Sequence, residues 1–228
     1  STLYTSLSKI NSTENKIITL EDPVEYYLEG INQLHVNPKI GLTFANGLRS
    51  IVRQDPDIIL LGEIRDKETA DIAIQSALTG HLLFSTLHTN DAVGAVTRLL
   101  DMGVEGFLLS TTLLGVLAQR LVRMICPHCN RPVAMNPKLI EAIGVDVEEA
   151  ADVQLYEGRG CETCRHTGFI GRTAIFECLT VDDDIRMAIA KNKNAQEIKQ
   201  LVRAKGVVSL RQSGWQKVKE GITTISEV

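Results

Sequence analysis

Acidic residues follow two short apolar runs that have the composition of buried strands. Glu63 comes soon after the run IILL, and Glu21 and Glu25 come after the run IITL. Parallel strands end at the same edge of a sheet, and open α/β sheets bind their ligands there, so these carboxylates are expected to converge. A carboxylate in that place can hold magnesium through water or activate a water molecule that attacks a phosphate. Each of them could also be an ordinary solvated residue of a turn.

Two histidines bracket a third apolar run, HLLFSTLH, which predicts another buried strand. His81 begins this segment and His88 ends it. An imidazole at a strand end can donate a hydrogen bond to a γ-phosphate, but more often it makes a structural hydrogen bond. Both roles stay open for each histidine.

Four of the five cysteines form two C-x-x-C pairs, CPHC and CETC, on either side of residues 130–160. Four thiolates at about 2.3 Å complete the tetrahedral shell of a structural zinc site, which leaves no open position for catalysis. The predicted Zn²⁺ ligands are Cys126, Cys129, Cys161 and Cys164, and the alternative is two adventitious pairs. Cys178 is expected in the core of a strand. This spacing favours a metal site in a reducing cytosol over a secreted disulfide framework.

Composition narrows the class of protein. The 228 residues are 44% hydrophobic, which is enough for a substantial core, and their formal net charge is −4. This acidic balance lacks the excess of Lys and Arg expected of a dedicated nucleic-acid-binding protein. There is no apolar run of about 18 residues and no signal-peptide pattern, so we expect the chain itself to be soluble.

Apolar periodicity predicts strands that alternate with helices over residues 1–122. This alternation is typical of an α/β fold in which helices cover both faces of a parallel sheet. The predicted strands are KIITLED, INQLHV, DIILLGE and HLLFSTLH. The predicted helices are STLYTSLSKIN, LTFANGLRSIVRQ, KETADIAIQSAL and two more between Asp91 and Val122, separated near Met102–Gly106.

The pattern changes after residue 122. Residues 123–172 combine the cysteine pairs with Pro, Asn and Gly, which predicts a tetracysteine zinc-binding module. RTAIFECLTV predicts a strand, and DDDIRMAIA, AQEIKQLVRA and SLRQSGWQKVKEG predict short helices that start from Asp, Asn or Ser caps. We therefore expect three parts, with residues 173–228 forming a strand and a small C-terminal helical bundle.

Three segments, in this order and spacing, together resemble the motifs of the secretion ATPases of type II secretion and type IV pilus assembly. ITLEDPVEY is similar to the family's Asp box, DPDIILLGEIRD to its Walker B segment and TGHLLFSTLHTND to its His box. The resemblance runs through nearly the whole chain. It implies a RecA-like P-loop NTPase core that binds ATP and hydrolyses it with Mg²⁺.

The resemblance also implies roles for individual residues. Glu63, in the Gly–Glu form of Walker B, would be the catalytic carboxylate, and Glu25 would be its helper with Glu21 beside it. His81 and His88 would contact or sense nucleotide across a ring of subunits. The arginines that couple subunits or stabilise charge would be Arg49, Arg53, Arg65 and Arg172.

The phosphate-binding loop G-x-x-x-x-G-K-[ST] that the resemblance implies is not in this sequence. The chain starts with residues of the helix that follows the loop, among them Ser1 and Thr2 as nucleotide-binding candidates. The loop's amides and lysine hold the β- and γ-phosphates. We therefore expect this chain to be truncated at its N-terminus and to hydrolyse little or no ATP alone.

The tetracysteine module resembles the one that the assembly ATPases carry and the pilus retraction ATPases lack. The segment from residue 90 to 129 is more similar to the type II secretion enzymes than to the pilus assembly enzymes. The expected function is ATP-driven pseudopilus assembly and protein secretion. The resemblance implies a cytoplasmic homo-hexamer, held at the inner membrane by platform and cytoplasmic-domain proteins. We expect no nucleic-acid partner, because the net charge is acidic. The alternatives are a type IV pilus assembly ATPase, a zinc-ribbon module that binds nucleic acid, and a regulatory interaction module.

Overall fold

The computed structural model of the chain describes residues 2–135, 140–141, 143–144, 150 and 153–228. Contacts between Cα atoms divide the chain into two compact units. The first unit comprises residues 1–89, 94–114 and 181–198, and the second comprises residues 90–93, 115–180 and 199–228. Each unit is therefore built from segments that are distant in the sequence.

The first unit contains a four-stranded sheet in the order β2-β1-β3-β4. Its strands are β1 (Ile17–Glu21), β2 (Asn32–His35), β3 (Ile58–Leu61) and β4 (Leu82–Ser85). Every neighbouring pair is parallel, with Ile18 opposite both Asn32 and Ile59. The predicted parallel sheet is confirmed, and the carboxyl ends of its strands share one edge.

Helices cover both faces of this sheet, as predicted. They are α1 (Thr2–Ile10), α2 (Phe44–Val52) and α3 (Lys67–Leu78). Alternate residues of β1 and β3 point to opposite faces, so Ile17 and Leu60 pack with Leu7 of α1. On the other face, Leu20 packs with Leu48 of α2.

Strand β4 differs from the prediction of a buried strand. It pairs with β3 only, among the residues that the structure describes, and the first of its residues, Leu82, is 36% exposed. The remaining three residues are half-buried. An apolar run does not reveal whether a strand has neighbours on both sides, and β4 forms an edge of the sheet.

The first unit is completed by α4 (Ala92–Asp101), whose first two residues belong to the second unit, by α5 (Gly106–Thr112) and by α6 (Asp183–Ala190). Helix α5 packs against α6 through Gly106, where a Cβ atom would lie 2.7 Å from the carbonyl oxygen of Ile189. Only glycine fits this approach without displacing one of the helices.

The second unit is built on a long antiparallel pair, β5 (Gly115–Ile125) and β8 (Phe169–Thr180), and a shorter pair, β6 (Asn130–Val133) and β7 (Leu155–Gly158). The helix predicted to continue to Val122 is wrong beyond Thr112. From Gly115 onward the backbone pairs with β8, and this pairing overrides the helical spacing of the leucines. The boundaries predicted after residues 122 and 172 fall inside these two strands.

Strand β8 alternates between buried and exposed residues. Ile175, Glu177 and Leu179 are buried, whereas Phe176 and Cys178 are exposed. The predicted strand is therefore confirmed, but the predicted burial of Cys178 is wrong, because a period of two turns its side chain away from the buried face.

Three helices occur in the C-terminal stretch, as predicted: α6, α7 (Ala195–Ala204) and α8 (Leu210–Lys219). They start at the side-chain caps Asp182, Asn194 and Ser209. The expected single bundle is not observed, because α6 packs on α5 in the first unit, while α8 packs on β8 in the second. In the part of the chain that the structure covers, no helix combines the length and the apolar character needed to cross a bilayer.

Candidate active site and metal centre

Glu63 lies at the carboxyl edge of the sheet, two residues after β3 ends at Leu61. Gly62 keeps the backbone close to β1, since its N–H donates to the carbonyl oxygen of Leu20 at 2.8 Å. A Cβ atom on Gly62 would lie 3.2 Å from that same oxygen. The Glu63 side chain is only 14% exposed, so it is mostly buried at this edge.

His88 meets Glu63 from the end of the neighbouring strand β4. Its Nε2 atom lies 3.2 Å from Oε2 of Glu63, and its side chain is 90% exposed. Two hydrogen bonds join the segments that carry them: Ile64 N–H donates to Thr86 O at 3.1 Å, and Thr86 Oγ1 donates to Gly62 O at 2.6 Å. The backbone segments that carry the carboxylate and the imidazole are therefore held next to each other.

Arg65 contacts the other oxygen of Glu63, Oε1, and also lies 4.0 Å from Oδ2 of Asp22. The hydrogen bond from Arg65 lowers the pKa of Glu63 below its ordinary value, an effect that outweighs partial burial, and the nearby His88 lowers it further. Glu63 is thus ionised at neutral pH, and each of its two oxygens has a basic partner.

Glu21 ends β1 and is buried, with 6% of its surface exposed. Oε1 accepts hydrogen bonds from Thr19 Oγ1 at 2.6 Å and from Gln33 Nε2 at 3.3 Å. Oε2 accepts one from the hydroxyl of Tyr4 in α1. Both oxygens of Glu21 therefore bond to groups inside the unit.

Glu25 lies in the segment that follows β1, after the cis peptide bond between Asp22 and Pro23. Its residue is exposed, and its backbone N–H donates to the Tyr4 hydroxyl at 3.1 Å. The predicted acids thus differ in accessibility: Glu25 faces solvent, Glu63 is mostly buried at the sheet edge, and Glu21 is buried.

Tyr4 and Gln33 were not predicted as site residues. Both bond directly to the acidic segment, yet Tyr4 lies in a helix and Gln33 in an edge strand that has no distinctive motif. Only the pairing of β1 with β2 and the packing of α1 bring them to Glu21, so no local signal in the sequence could have identified them.

His81 lies at the opposite edge of the sheet from His88, because it precedes the amino end of β4. Its Nδ1 atom lies 2.8 Å from the carbonyl oxygen of Ser76 and 3.1 Å from Oγ1 of Thr79. Within the first unit, His81 therefore bonds to the last turn of α3, and its predicted contact with nucleotide stays a prediction.

The remaining predicted site residues are spread over both units. Arg49 pairs with Glu68 of α3 at 2.6 Å, and Arg53 is exposed at the end of α2. Arg172 lies on β8 of the second unit, opposite Arg123 of β5. Thr2 begins α1, and Ser1 lies outside the described residues.

The four paired cysteines form one cluster in the second unit. Their Sγ atoms all lie within 4.8 Å of one another, and three of the residues are buried. The Sγ–Sγ distances include 3.9 Å for Cys126–Cys161, 3.9 Å for Cys129–Cys164 and 3.7 Å for Cys161–Cys164. Four sulfurs at about 2.3 Å from a tetrahedral ion would be about 3.8 Å apart, so this donor set fits zinc.

Backbone amides support a thiolate in this cluster. The N–H groups of Cys161 and Gly168 donate to Sγ of Cys164 at 3.2 and 3.3 Å. Burial alone would raise the pKa of Cys164, but these amides and the neighbouring thiols lower it overall. Burial raises the pKa of Cys129.

Two glycines bring the backbones near the cluster into contact. A Cβ atom on Gly158 would overlap the carbonyl oxygen of Gly168, and a Cβ atom on Gly168 would overlap that of Gly158. Gly168 also has a φ of +78°, which favours glycine. Gly168 also donates its backbone N–H to Sγ of Cys164. The close approach of the two glycines therefore contributes to the geometry of the cysteine cluster.

A family model described as "Type II/IV secretion system protein" matches residues 1–228. The chain belongs to this family. The resemblance of the Asp-box, Walker B and His-box segments to the secretion ATPases is therefore confirmed. The type II branch, which was predicted from residues 90–129, is supported by curated relatives over the whole chain.

Curated secretion-system relatives match over essentially the whole chain. The type II secretion system protein E of Dickeya dadantii is 54% identical over 227 residues, and that of Pseudomonas aeruginosa is 52% identical over 227 residues. The type IV pilus assembly ATPase PilB of Thermus thermophilus is 53% identical over 227 residues. The chain spans 45%, 45% and 26% of the lengths of these three proteins.

Two solved structures of other proteins have the same fold. The crystal structure of the pilus retraction motor PilT with bound ADP superposes with a TM-score of 0.71 at 28% identity, covering 99% of this chain and 55% of that one. The ATPase DotB of Legionella pneumophila gives a TM-score of 0.67 at 22% identity, covering 99% of this chain and 55% of that one. The α/β fold of this chain is thus that of the family.

Proposed function

We propose that this chain forms part of an ATP-hydrolysing motor of type II secretion, with a RecA-like core that powers pseudopilus assembly and protein export. One observation carries the proposal: Glu63 and His88 lie 3.2 Å apart at the carboxyl edge of a parallel sheet. Ligands of open α/β sheets bind at this edge. The identity to type II secretion proteins supports the choice of system.

Glu63 is the proposed catalytic carboxylate. It is ionised at neutral pH because Arg65 and His88 lower its pKa, and an ionised carboxylate can orient and polarise the water that attacks a γ-phosphate. Glu25, which is exposed on the neighbouring segment, is proposed to support that water or the magnesium shell. Glu21 is not proposed to act on the water, because both of its oxygens bond to groups inside the first unit.

Nucleotide would be held jointly by this edge and by other parts of the motor. Magnesium, when bound with ATP, neutralises charge on the phosphates, and Glu63 and Glu25 offer the oxygen ligands that suit it. We propose that Thr2, His81, His88 and the arginines Arg49, Arg53, Arg65 and Arg172 contact nucleotide or a neighbouring subunit in a homo-hexamer. PilT in complex with ADP supports nucleotide binding by this fold.

A structural zinc ion is proposed for the cysteine cluster. Cys126, Cys129, Cys161 and Cys164 would hold it, since their sulfurs have the mutual spacing of a tetrahedral shell. Such an ion would cross-link the segments before and after residues 130–160. The division into a nucleotide core, a cysteine module and a C-terminal part likewise stays a proposal.

The cellular setting is proposed from the family. A motor of this kind would work in the cytoplasm and associate with the inner membrane through platform and cytoplasmic-domain proteins of the secretion system, without nucleic acid. The sequence identity to type II secretion proteins supports this setting.

Substitution of Glu63 tests the catalytic proposal. In a form of the protein as long as its curated relatives, Glu63→Gln should lower kcat for ATP by at least about a hundredfold, the lower end of the range for general acid–base catalysis. Glu14→Gln, at an exposed glutamate outside the site, is the matched control. Unchanged turnover in Glu63→Gln would show that another group activates the water.

Type IV pilus assembly is the second candidate function. It is favoured by the 53% identity to the pilus assembly ATPase PilB. Deletion of the gene distinguishes the two: loss of secreted enzymes with intact pili supports type II secretion, whereas loss of pili with normal secretion supports pilus assembly.

A further inference from the structure

Both carboxylate oxygens of Glu21 accept hydrogen bonds inside the first unit. Oε1 accepts from Thr19 Oγ1 at 2.6 Å and from Gln33 Nε2 at 3.3 Å, and Oε2 accepts from Tyr4. With 6% of the residue exposed, Glu21 can reach neither a magnesium ion nor a water molecule at the sheet edge unless these bonds break. A buried carboxylate with donors on both oxygens is suited to fixing its neighbours.

The Tyr4 hydroxyl bonds to both ends of the acidic segment. It donates to Oε2 of Glu21, and it accepts from the backbone N–H of Glu25 at 3.1 Å. Burial, with help from the bond to Glu21, raises the pKa of Tyr4, so the hydroxyl keeps the proton that it donates. The Tyr4 ring also meets the ring of Tyr26 edge to face, with centroids 4.4 Å apart.

Gln33 of β2 supports the same segment from the other side. Its Nε2 atom donates to Glu21 and, at 3.2 Å, to the carbonyl oxygen of Tyr26. Its Oε1 atom accepts from the backbone N–H of Leu28 at 2.7 Å. Two side chains, Tyr4 and Gln33, thus bond to Glu21 and to the backbone of the segment that carries Glu25.

We propose that Tyr4 is a positioning residue, which together with Glu21 holds the backbone of Glu25 in place at the edge where Glu63 lies. In this assignment Glu21 does not act on water or magnesium; it anchors Tyr4 and Gln33, and Glu25 is the acid that reaches the site. The inference rests on the proposed ATP hydrolysis at this edge. It adds to that proposal the residues that hold Glu25 in place.

Hydrogen exchange tests the anchoring without any nucleotide. Tyr4→Phe keeps the buried ring and its contact with Tyr26 but removes the hydroxyl. The amide of Glu25, which then lacks its acceptor, should exchange at least about tenfold faster by NMR. Tyr27→Phe is the matched control, because Tyr27 lies in the same segment and is 86% exposed, and it should leave this exchange rate unchanged.

ATP turnover tests the effect on the reaction. In a form of the protein as long as its curated relatives, Tyr4→Phe should lower kcat about tenfold and leave KM for ATP within about twofold, because Glu25 is misplaced while Glu63 and His88 keep their positions at the edge. Assays run well below the unfolding temperature separate this from stability, since a merely structural role would lower that temperature and leave kcat unchanged.

Three results would overturn a part of the proposal. Equal exchange of the Glu25 amide in Tyr4→Phe and Tyr27→Phe would show that Tyr4 does not hold the segment. Faster exchange with unchanged kcat would show that its position does not matter for hydrolysis. No turnover by the unaltered protein with MgATP would overturn the proposed function, while the exchange rates would still decide the anchoring.

Discussion

Oε2 of Glu63 and Nε2 of His88 lie 3.2 Å apart, although the two residues follow different strands of the sheet. Strands β3 and β4 are parallel neighbours, with Leu61 opposite Ser85, so the segments that leave them emerge at one edge. A histidine and a glutamate from separate motifs are thereby brought together by the sheet register. A change in that register would separate them without altering either residue.

The hydrogen bond from Arg65 is the main cause that lowers the pKa of the Glu63 carboxyl. The folded-state pKa lies below the unfolded value, so ionised Glu63 stabilises the fold above the ordinary pKa near 4.5, and this stabilisation is lost as the pH falls through the folded pKa. Arg65→Gln should raise the pKa of Glu63, as measured by NMR titration of its side-chain carboxyl carbon.

The matched control for this titration is Arg53→Gln, at an exposed arginine outside the Glu63 cluster. It should leave the pKa of Glu63 as it is in the unaltered protein. If Arg65→Gln also left this pKa unchanged, the contact between Arg65 and Glu63 would not exist in solution.

The cysteine cluster should bind one zinc ion per chain by metal analysis. Cys161→Ser should lose that ion and lower the unfolding temperature of the second unit, because metal binding contributes directly to folding. Cys178→Ser, at the exposed cysteine outside the cluster, should keep both the metal and the stability. Four thiols that titrate freely in the purified protein, with no metal present, would contradict the prediction.

Glu177 is a buried carboxylate that joins the starts of two helices. Oε1 accepts from Ala92 N–H at 3.0 Å, and Oε2 accepts from Leu210 N–H at 3.2 Å. Glu177→Gln keeps one acceptor oxygen and removes the charge that favours helix N-termini, so the free energy of unfolding in urea should fall by about 1–2 kcal/mol.

The comparison for Glu177 is Glu220→Gln, which removes the charge of an exposed glutamate paired with Lys217. An exposed ion pair is worth at most about 1 kcal/mol, so this change should have the smaller effect. Equal effects of the two substitutions would mean that the Glu177 bonds contribute no more than a surface pair.

The sheet and its carboxyl edge were predictable because each strand has a local signal. The apolar runs of β1 and β3 end just before acids, and parallel pairing follows from their alternation with helices. The edge position of β4 was not predictable in this way, since the exposure of Leu82 depends on which strands lie beside it.

Strand β5 was mistaken for a helix for a related reason. Its leucines, Leu117 and Leu121, are spaced as on a helix, and both are exposed. The partner that makes it a strand, β8, begins at Phe169, far along the sequence. The same dependence on distant partners explains why Tyr4 and Gln33 were missed at the site.

The contact between Gly158 and Gly168 limits how the cysteine cluster can be altered or transferred. At either position even a methyl group would push apart the backbone that leads to Cys161 and the backbone that donates to Cys164. Selection should therefore act on these glycines although neither offers a ligand atom. A cluster grafted onto another scaffold would need both glycines as well as its four cysteines.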